Sequence, residues 1–367
     1  MKKVGFVGWR GMVGSILLER IIEKNFFSFV NIVFLSTSKF SNSFLKKKVK
    51  NRVLQNAFDL KILYNLDIII NCQGEHYTKK IYYTLRKIGW KGYWLDSSKT
   101  LRMQEDTMIA LDPINSKELE NSISKGIKNF AVGNCTVNLM LMSLGGLFQK
   151  NLVEKIFVST YQSISGGGSK FLKTWFLQMK RFYEVSSKFF EKKYISISQI
   201  NKAISHEMQK NKKTFKKVVS WNVIPWIGKT KFEFLPEEEW KGEVETKKIL
   251  NQNVSVYSTC VRINALCCHS QSFIIKLKKD ISLNEIENIL KNHSKWIRIV
   301  PNKKKYTEKF LNPFYVSGST KIFVGRIAKS KNLGKNYVSV FSVADQLIWG
   351  SSEPILRVLK RLIFGVF

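Results

Sequence analysis

The stretch AVGNCTVNLM, residues 131–140, places a cysteine where an apolar strand gives way to an apolar helix. Residues 130–132 read as the end of a buried strand, and the apolar spacing from Val137 to Leu144 predicts a helix. Cys135 is therefore expected at the helix N-terminus, where free backbone N–H groups and the helix dipole favour negative charge. This position predicts a lowered thiol pKa and a nucleophilic thiolate. The alternative is a small buried hydrophobe, which is what most free cysteines are.

A histidine that could exchange a proton with this thiol lies in VRINALCCHSQSF. His269 stands between two strand-like segments, seven residues after Arg262. A histidine beside a thiolate can act as acid and base in covalent catalysis, whereas a loop histidine on its own is more often structural. The segment EEEWKGEVETKKIL places Glu245 and Lys248 three residues apart on one helix face, either for a ligand or as a surface ion pair.

The chain begins with a pattern typical of a dinucleotide-binding turn. The strand KVGFVG runs into a segment with Gly8, Gly11 and Gly14, and an amphipathic helix follows. Such glycines let the backbone approach a pyrophosphate, whose charge the helix N-terminus offsets. The next strand ends in S-T-S-K, residues 36–39, where NAD sites usually carry an acid for the ribose 2′-hydroxyl. Hydroxyls and cations, with Arg10 in the glycine turn, predict a 2′-phosphate and therefore NADP.

Strands and helices alternate through the first third of the chain. LDIIINCQG (66–74) and GYWLDSS (92–98) read as strands, with KIYYTLRKIGW as the helix between them. This alternation predicts a parallel, doubly wound sheet, with ligand loops at the carboxyl ends of its strands. Gln73, residues 97–99 and Arg102 fall at those ends.

The pattern changes after Cys135. EKIFVSTYQSISGGGSK (154–170) is a strand ending in three glycines, and an apolar stripe from Phe171 to Phe182 indicates core or a subunit interface. Residues 183–235 are polar and lysine-rich, typical of an insertion. The runs VSVYSTCVRI, QSFIIKLKK, KIFVGRIA and YVSVFSVAD lack regular intervening helices and predict a mixed or antiparallel sheet. The final ILRVLKRLIFGVF is an amphipathic helix that could pack on the first domain.

Composition limits the class of protein. The 367 residues, 44% of them hydrophobic, are enough for two domains with real cores. The formal net charge of +34 raises nucleic-acid binding as one interpretation. The lysines are scattered, however, and do not interleave with aromatic residues as in a nucleic-acid module. Solvated surface lysine, as an AT-rich genome would encode, is the preferred interpretation, and no nucleic-acid partner is expected.

The five cysteines are an odd number without metal-like spacing, so we expect reduced thiols in the cytoplasm and no metal. No run approaches the ~18 apolar residues that a membrane span requires. The apolar N-terminal stretch is broken at Gly8, too early for a signal peptide. We expect no membrane partner.

A dinucleotide domain, an activated cysteine and a histidine base together predict an aldehyde oxidised through a covalent thioester. Helix N–H groups near Cys135 could stabilise the oxyanion. Cations such as Arg102 and Lys248 favour phosphate over water as the acceptor.

The chain resembles the NADP-dependent aspartate-semialdehyde dehydrogenase family in the form typical of Gram-negative bacteria. The resemblance is carried, in order along nearly the whole chain, by VGFVGWRGMVGS, FLSTS, CQG, GYWLDSS, LRM, GNCTVNLMLMSLGGLF, TYQSISGGG, IPWI, EEWKGEVETKKIL, CVRINAL followed after Cys267 by CHSQ, and ADQLIWGSSEP. It departs from the family in its lysine content, in residues 183–235 and at Cys267, where the family commonly has arginine.

The resemblance implies a role for each matching residue. Cys135 would be the thioester nucleophile and His269 the general acid and base. The amino acid end of the substrate would be held by Gln162, Glu245 and Arg262, and the phosphate by Arg102 and Lys248. The implied NADP contacts are Arg10, Gly11, Met12, Val13, Thr37, Ser38, Gln73, Ser165, Gly166, Gly167, Gly168, Ser169 and Gln346.

The resemblance also implies an α/β fold and a homodimer. A Rossmann-type domain would comprise residues 1–133 and 354–367, and an α+β catalytic and dimerisation domain with a mixed sheet would comprise residues 134–353. The implied reaction is reversible: aspartyl phosphate and NADPH give aspartate semialdehyde, phosphate and NADP, for lysine, threonine and methionine biosynthesis. Two alternatives stay open: another acyl-phosphate reductase, acting on N-acetylglutamyl phosphate or a sugar aldehyde, and a basic nucleic-acid-binding protein that has lost catalysis.

Overall fold

The structure is a computed structural model that describes residues 1–38, 54–191, 194–212, 215, 217–329 and 332–365. Lys39, one of the cations expected at the cofactor, lies outside the described residues. The strands are β1 (Lys2–Val7), β2 (Val30–Ser36), β3 (Leu54–Asn56), β4 (Ile68–Asn71), β5 (Tyr93–Asp96), β6 (Thr107–Ile109), β7 (Asn129–Ala131), β8 (Val153–Gln162), β9 (Thr230–Phe232), β10 (Leu235–Pro236), β11 (Ser255–Arg262), β12 (His269–Leu277), β13 (Ile297–Ile299), β14 (Ile322–Lys329) and β15 (Tyr337–Ala344).

The α-helices are α1 (Met12–Glu23), α2 (Leu60–Tyr64), α3 (Glu75–Tyr77), α4 (Tyr83–Lys87), α5 (Ser116–Ser124), α6 (Cys135–Gln149), α7 (Ser169–Phe190), α8 (Ile197–Lys210), α9 (Glu237–Leu250), α10 (Leu283–His293), α11 (Lys304–Phe310), α12 (Pro313–Val316) and α13 (Glu353–Phe364). Short 3₁₀ turns are formed by Phe26–Ser28 and Ile164–Gly167, and π-helical turns by Thr78–Tyr82 and Ile348–Ser352.

The first sheet is parallel throughout, as the alternation of strands and helices predicts. Its order is β3-β2-β1-β4-β5-β7-β6. Val4 of the central β1 pairs with Ile32 on one side and Ile68 on the other, and all three side chains are buried. The chain leaves β1 in one direction for β2 and returns to add β4 on the other side. The carboxyl end of β1 is therefore the switch point where such sheets bind ligands.

The glycines of the first turn are required by close packing. Gly8 has φ +76°, and a Cβ there would overlap the backbone of Cys72 at the end of β4. A Cβ on Gly14 would overlap the Gly8 carbonyl oxygen. The turn therefore fits tightly between β1, β4 and the first turn of α1, which is the arrangement predicted from the sequence.

The second sheet is mixed, as predicted, with the order β11-β8-β12-β15-β14-β13. β8 runs parallel to β11 and antiparallel to β12, and β13 runs parallel to β14. One face is buried in the largest core, against α6 and α10. A Cβ on Gly146 of α6 would lie 2.5 Å from the carbonyl oxygen of Ile289 on α10, so this glycine sets the spacing of the two helices.

Helix α6 is buried along nearly its whole length, which explains why its sequence is apolar on every face. The C-terminal helix α13 packs against α1, and its Ile355 and Leu359 belong to the same core cluster as Val4. On α7, Trp175 packs with Ile164 and Val219, so this part of the apolar stripe is core. Among the described residues, no helix has the length and apolarity to cross a membrane.

Candidate active site

Cys135 is the first residue of α6, as the sequence predicts. Asn134 caps the helix: its side-chain oxygen accepts a hydrogen bond from Thr136 N at 2.9 Å. Gly350, in the π-helical turn, packs directly on the cysteine, since a Cβ on this glycine would lie 2.8 Å from the Cys135 Cβ. The cysteine Sγ lies 3.3 Å from His269 Nε2.

His269 is the first residue of β12 and is fully buried. Its partners meet because β8 lies between β11 and β12, so Gln162, Arg262 and His269 fall at one edge of the second sheet. His269 Nδ1 accepts a hydrogen bond from Ser163 N at 3.1 Å. Arg262 Nη1 donates to the Ser163 carbonyl oxygen at 2.7 Å. The six residues between Arg262 and His269 therefore connect β11 to β12 across β8.

Both reacting groups are neutral in the folded chain. Burial raises the pKa of the Cys135 thiol to about 12, Glu238 adds to the rise, and Arg262 and Arg102 oppose it. Burial, followed by Arg262, lowers the pKa of His269 to about 3. The prediction of a lowered thiol pKa is therefore wrong, because desolvation outweighs the favourable helix N-terminus and the nearby cations.

Two carboxylates of α9 hold the residue before the cysteine. Glu245 accepts a 2.5 Å hydrogen bond from Asn134 N and forms an ion pair with Arg102 Nη1 at 3.0 Å. Glu238 accepts hydrogen bonds from Asn134 Nδ2 at 2.9 Å and Gln162 Nε2 at 3.1 Å. It also pairs with Lys241 Nζ at 3.2 Å. Burial alone would raise the pKa of Glu238, but Lys241 and the two amides lower it to about 2, so it is a buried carboxylate.

Glu238 and Lys241 are the site residues that the sequence reasoning missed. Both are buried, and both act electrostatically on the Cys135 thiol. Lys248, which the sequence reasoning favoured, instead donates from Nζ to the carbonyl oxygens of Arg102 and Gln104, each at 2.7 Å. The overlooked signal was a second glutamate–lysine pair with the same three-residue spacing, seven residues earlier in the helix.

The expected cofactor residues lie in two groups. At the carboxyl edge of the first sheet, Arg10 Nη2 donates to Ser36 Oγ at 2.8 Å and to Ser38 Oγ at 3.3 Å. Gly11 is the N-cap of α1, without a side-chain cap and without an acid in the first helical turn. Gln73 N donates to Asn71 Oδ1 at 2.9 Å beside this turn. Ser36 was not among the expected contacts, although the sequence S-T-S-K contains it.

The second group adjoins His269. Ser165 Oγ donates to the Leu266 carbonyl oxygen at 2.7 Å and accepts from Gln346 Nε2 at 2.6 Å. A Cβ on Gly166 would lie 2.8 Å from Arg262 Nη1 and 3.1 Å from the imidazole. This turn therefore lies directly against the site residues. Cys267 Sγ lies 3.7 Å from Ser165 Oγ, so the residue that departs from the family pattern lies at this turn.

The chain matches known proteins along nearly its whole length. Residues 3–122 match the NAD-binding domain of semialdehyde dehydrogenases, and residues 144–349 match their dimerisation domain. Aspartate semialdehyde dehydrogenase from Francisella tularensis is 34% identical, with a TM-score of 0.92 over 99% of this chain and 100% of that one.

Two further solved structures share the fold at lower identity. Aspartate semialdehyde dehydrogenase II from Vibrio cholerae, complexed with ASA, is 19% identical, with a TM-score of 0.77 over 100% of this chain and 99% of that one. The enzyme from Candida albicans, with NADP, is 15% identical, with a TM-score of 0.63 over 98% of each chain.

The buried imidazole predicts a specific loss of stability in acid. His269 has a pKa of about 3 when folded, against an ordinary value of 6.5. Between these values the unfolded chain binds one more proton, so the free energy of unfolding falls as pH falls through this window, by up to about 1.4 kcal/mol per pH unit. When the free energy of unfolding is measured in urea, it should depend less steeply on pH in His269→Asn than in the wild type. His206→Asn, at an exposed position, is the control and should follow the wild type. Parallel curves for wild type and His269→Asn would contradict the assignment.

Proposed function

Since this chain belongs to the semialdehyde dehydrogenase family, we propose that it reduces L-aspartyl 4-phosphate to L-aspartate 4-semialdehyde and phosphate, reversibly and through a thioester on Cys135. The observation that carries the proposal is the 3.3 Å contact of Cys135 Sγ with His269 Nε2, at a site with Arg102, Lys241 and Arg262. The enzyme is an oxidoreductase of amino-acid biosynthesis, and its product leads to lysine, threonine and methionine. The alternatives of an N-acetylglutamyl-phosphate reductase and of an inactive basic protein are not favoured.

In this reaction the sulfur attacks the acyl carbon, the C–S bond forms and the bond to the phosphate oxygen breaks. As the C–S bond forms, the proton on sulfur passes to Nε2 of His269. The backbone N–H groups at the start of α6 face the oxyanion that develops on the acyl group.

The residues around the sulfur suit the two ends of the substrate. A guanidinium has five donors, and Arg262 uses one of them for the Ser163 carbonyl, which leaves a fork for the α-carboxylate. Glu238 is a buried carboxylate and suits the α-ammonium group, with Gln162 beside it. Glu245 takes a positioning role, because it already bridges Asn134 and Arg102.

We assign the phosphate to Arg102 and Lys241. Arg102 Nε is buried and, among the described residues, has no hydrogen-bond partner, which leaves it free for an anion. The ion pair with Glu238 keeps the ammonium group of Lys241 at the site, whereas the ammonium group of Lys248 already serves two carbonyl oxygens. Lys248 therefore fixes the Arg102 loop.

The cofactor proposal is NADP, with the 2′-phosphate held by Arg10, Ser36, Thr37 and Ser38. The glycine turn would hold the pyrophosphate, because the N-terminus of α1 follows it without a side-chain cap and without an acid in the first helical turn. The remaining contacts are proposed for Met12, Val13, Gln73, residues 165–169 and Gln346. When bound, the nicotinamide supplies or accepts the hydride.

The proposed assembly is a homodimer formed through the second sheet. Its outer face presents Phe157, Tyr161, Tyr257 and Ile274, with exposures of 37 to 69%. A second copy of the chain would cover this apolar face, which agrees with the match to a dimerisation domain. The domain limits that we propose remain residues 1–133 with 354–367, and residues 134–353.

A direct test of the function is steady-state reduction of NADP by aspartate semialdehyde. Turnover should require phosphate and should be negligible with glyceraldehyde 3-phosphate or N-acetylglutamate semialdehyde. Cys135→Ser should lower kcat by at least about 10³-fold, because an alcohol cannot replace the thiolate nucleophile. Cys260→Ser, on β11, is the control cysteine. Mass spectrometry should locate the acyl adduct on Cys135, and an active Cys135→Ser variant would refute the thioester mechanism.

Paired lysine variants test the phosphate assignment. Lys241→Met should raise the KM for phosphate by about tenfold to a hundredfold, the effect of one charge-assisted hydrogen bond. Lys248→Met should leave this KM within about threefold and should instead lower the midpoint of urea unfolding, since two carbonyl oxygens lose their donor. A large rise in the KM for phosphate in Lys248→Met, with little change in Lys241→Met, would instead assign the phosphate to Lys248.

An arginine variant tests the cofactor. Arg10→Gln should raise the KM for NADP by about tenfold to a hundredfold and leave the KM for NAD nearly unchanged, because only the 2′-phosphate is affected. Arg298→Gln, at an exposed position, serves as the control. Equal changes for both cofactors would show that Arg10 only supports the turn.

A further inference from the structure

A cavity of about 490 Å³ lies between α1, α13 and the chain segments that lead into β13 and β14. Its volume is within the range of roughly 300–1,000 Å³ that is typical of small-molecule sites. None of the residues proposed above for the substrate, the phosphate or the cofactor lines it. Because residues of both ends of the chain and of the second domain meet there, we call it the junction cavity.

The charged side chains of the junction cavity are mostly cations. Its wall contains one carboxylate, Glu353, and five cationic side chains, those of Arg20, Lys24, Lys295, Arg357 and Lys360. The whole chain has 61 lysines and arginines to 27 acidic residues, so the cavity is more cationic than the chain as a whole.

The two arginines of this wall are neutralised, but two of its lysines are not. Arg20 pairs with Glu353 and Arg357 pairs with Asp112, each at 3.1 Å. Lys24 and Lys295 are exposed, and neither forms an ion pair with a carboxylate in the part of the chain that the structure describes. These two ammonium groups favour a ligand that carries more than one negative charge.

Aromatic rings form another part of the wall. Phe29 is 46% exposed, and its ring centroid lies 4.8 Å from that of Phe364, edge to face. The Arg357 guanidinium lies 4.8 Å from the ring centroid of Trp296, and Lys295 Nζ lies 5.1 Å from the same ring. A planar group can therefore stack on an exposed ring while an attached anion meets the lysines.

We propose that the junction cavity binds a nucleotide, with the phosphates at Lys24 and Lys295 and the base against Phe29. A nucleotide combines the two properties that the wall selects, several negative charges and a planar ring. This inference goes beyond the proposed function and does not depend on it.

The position of the junction cavity gives such a ligand two domains to contact. Trp296 lies against the buried Trp349, with ring centroids 4.8 Å apart, and Trp349 Nε1 donates to the carbonyl oxygen of Thr320 at 2.8 Å. Trp349 directly precedes Gly350, which packs on Cys135. A bound nucleotide would therefore bridge the contact between α1, α13 and the second domain, and would stabilise the folded chain by linkage.

Isothermal titration calorimetry of the full-length protein tests the ligand class. The protein is first saturated with NADP, so that the glycine turn is occupied, and is then titrated with ATP in magnesium-free buffer at low salt. ATP should bind, and adenosine and inorganic tripolyphosphate should each bind at least about fivefold more weakly, because each keeps only one of the two contacts. Absence of ATP binding, or tripolyphosphate binding as tightly as ATP, would overturn the proposal.

Variants of the exposed wall residues test the location. Lys295→Met should weaken ATP binding by about tenfold, the effect of one charge-assisted hydrogen bond. Phe29→Leu should weaken ATP binding by at least about fivefold and leave tripolyphosphate binding unchanged, since only the base loses its contact. Lys202→Met, at an exposed position on α8, is the matched control and should bind ATP like the wild type.

Arg10→Gln distinguishes the junction cavity from the proposed cofactor site. This variant should bind ATP like the wild type, because Arg10 lies beside Ser36 and Ser38 and does not line the junction cavity. Loss of ATP binding in Arg10→Gln, with none in Lys295→Met, would place the nucleotide at the glycine turn and overturn the proposal.

Discussion

The hydrogen bonds between α9 and Asn134 are the constraint on which the rest of the site depends. Asn134 is the last residue before the helix that begins at Cys135, and two buried glutamates hold it. Glu245 accepts a hydrogen bond from the backbone N–H of Asn134, and Glu238 accepts one from the Asn134 side-chain amide. The position of the sulfur against His269 therefore follows from how α9 packs beside the start of α6. The same two carboxylates form ion pairs that hold Arg102 and Lys241 at the site.

These ions also set the charge of the site. Arg102, Lys241 and Arg262 face Glu238 and Glu245, so three cations meet two carboxylates and one positive charge remains. That excess favours an anion at the centre, either the sulfur or a group of the substrate. Buried ions are costly unless they are paired and hydrogen-bonded, and each of these five has at least one ionic or hydrogen-bond partner. The formal net charge of +34 for the whole chain is not needed to explain this local excess.

The sequence predicts the fold better than it predicts the site. The glycine turn, the parallel first sheet, the mixed second sheet and the position of Cys135 follow from periodicity and glycine spacing. The substrate helix α9 shows why side-chain roles are harder to predict. Glu238 and Lys241 precede Glu245 and Lys248 by seven residues each, which is two helical turns and about 10 Å along one face. Spacing identifies the face, but only the contacts with Asn134, Gln162 and Arg102 show which pair reaches the sulfur.

The pKa of the Cys135 thiol likewise could not be predicted from the sequence, because it depends on burial as well as on nearby charges. A helix N-terminus and three cations argue for a thiolate, yet burial dominates and keeps the thiol protonated. A neutral thiol and a neutral imidazole can be buried without the desolvation cost of an ion pair. The fixed ions are paired when the chain folds, and charge develops on the reacting atoms only during turnover. Because the cations are already oriented at that moment, they stabilise the new charge without reorganisation, which is where an enzyme site gains most over water.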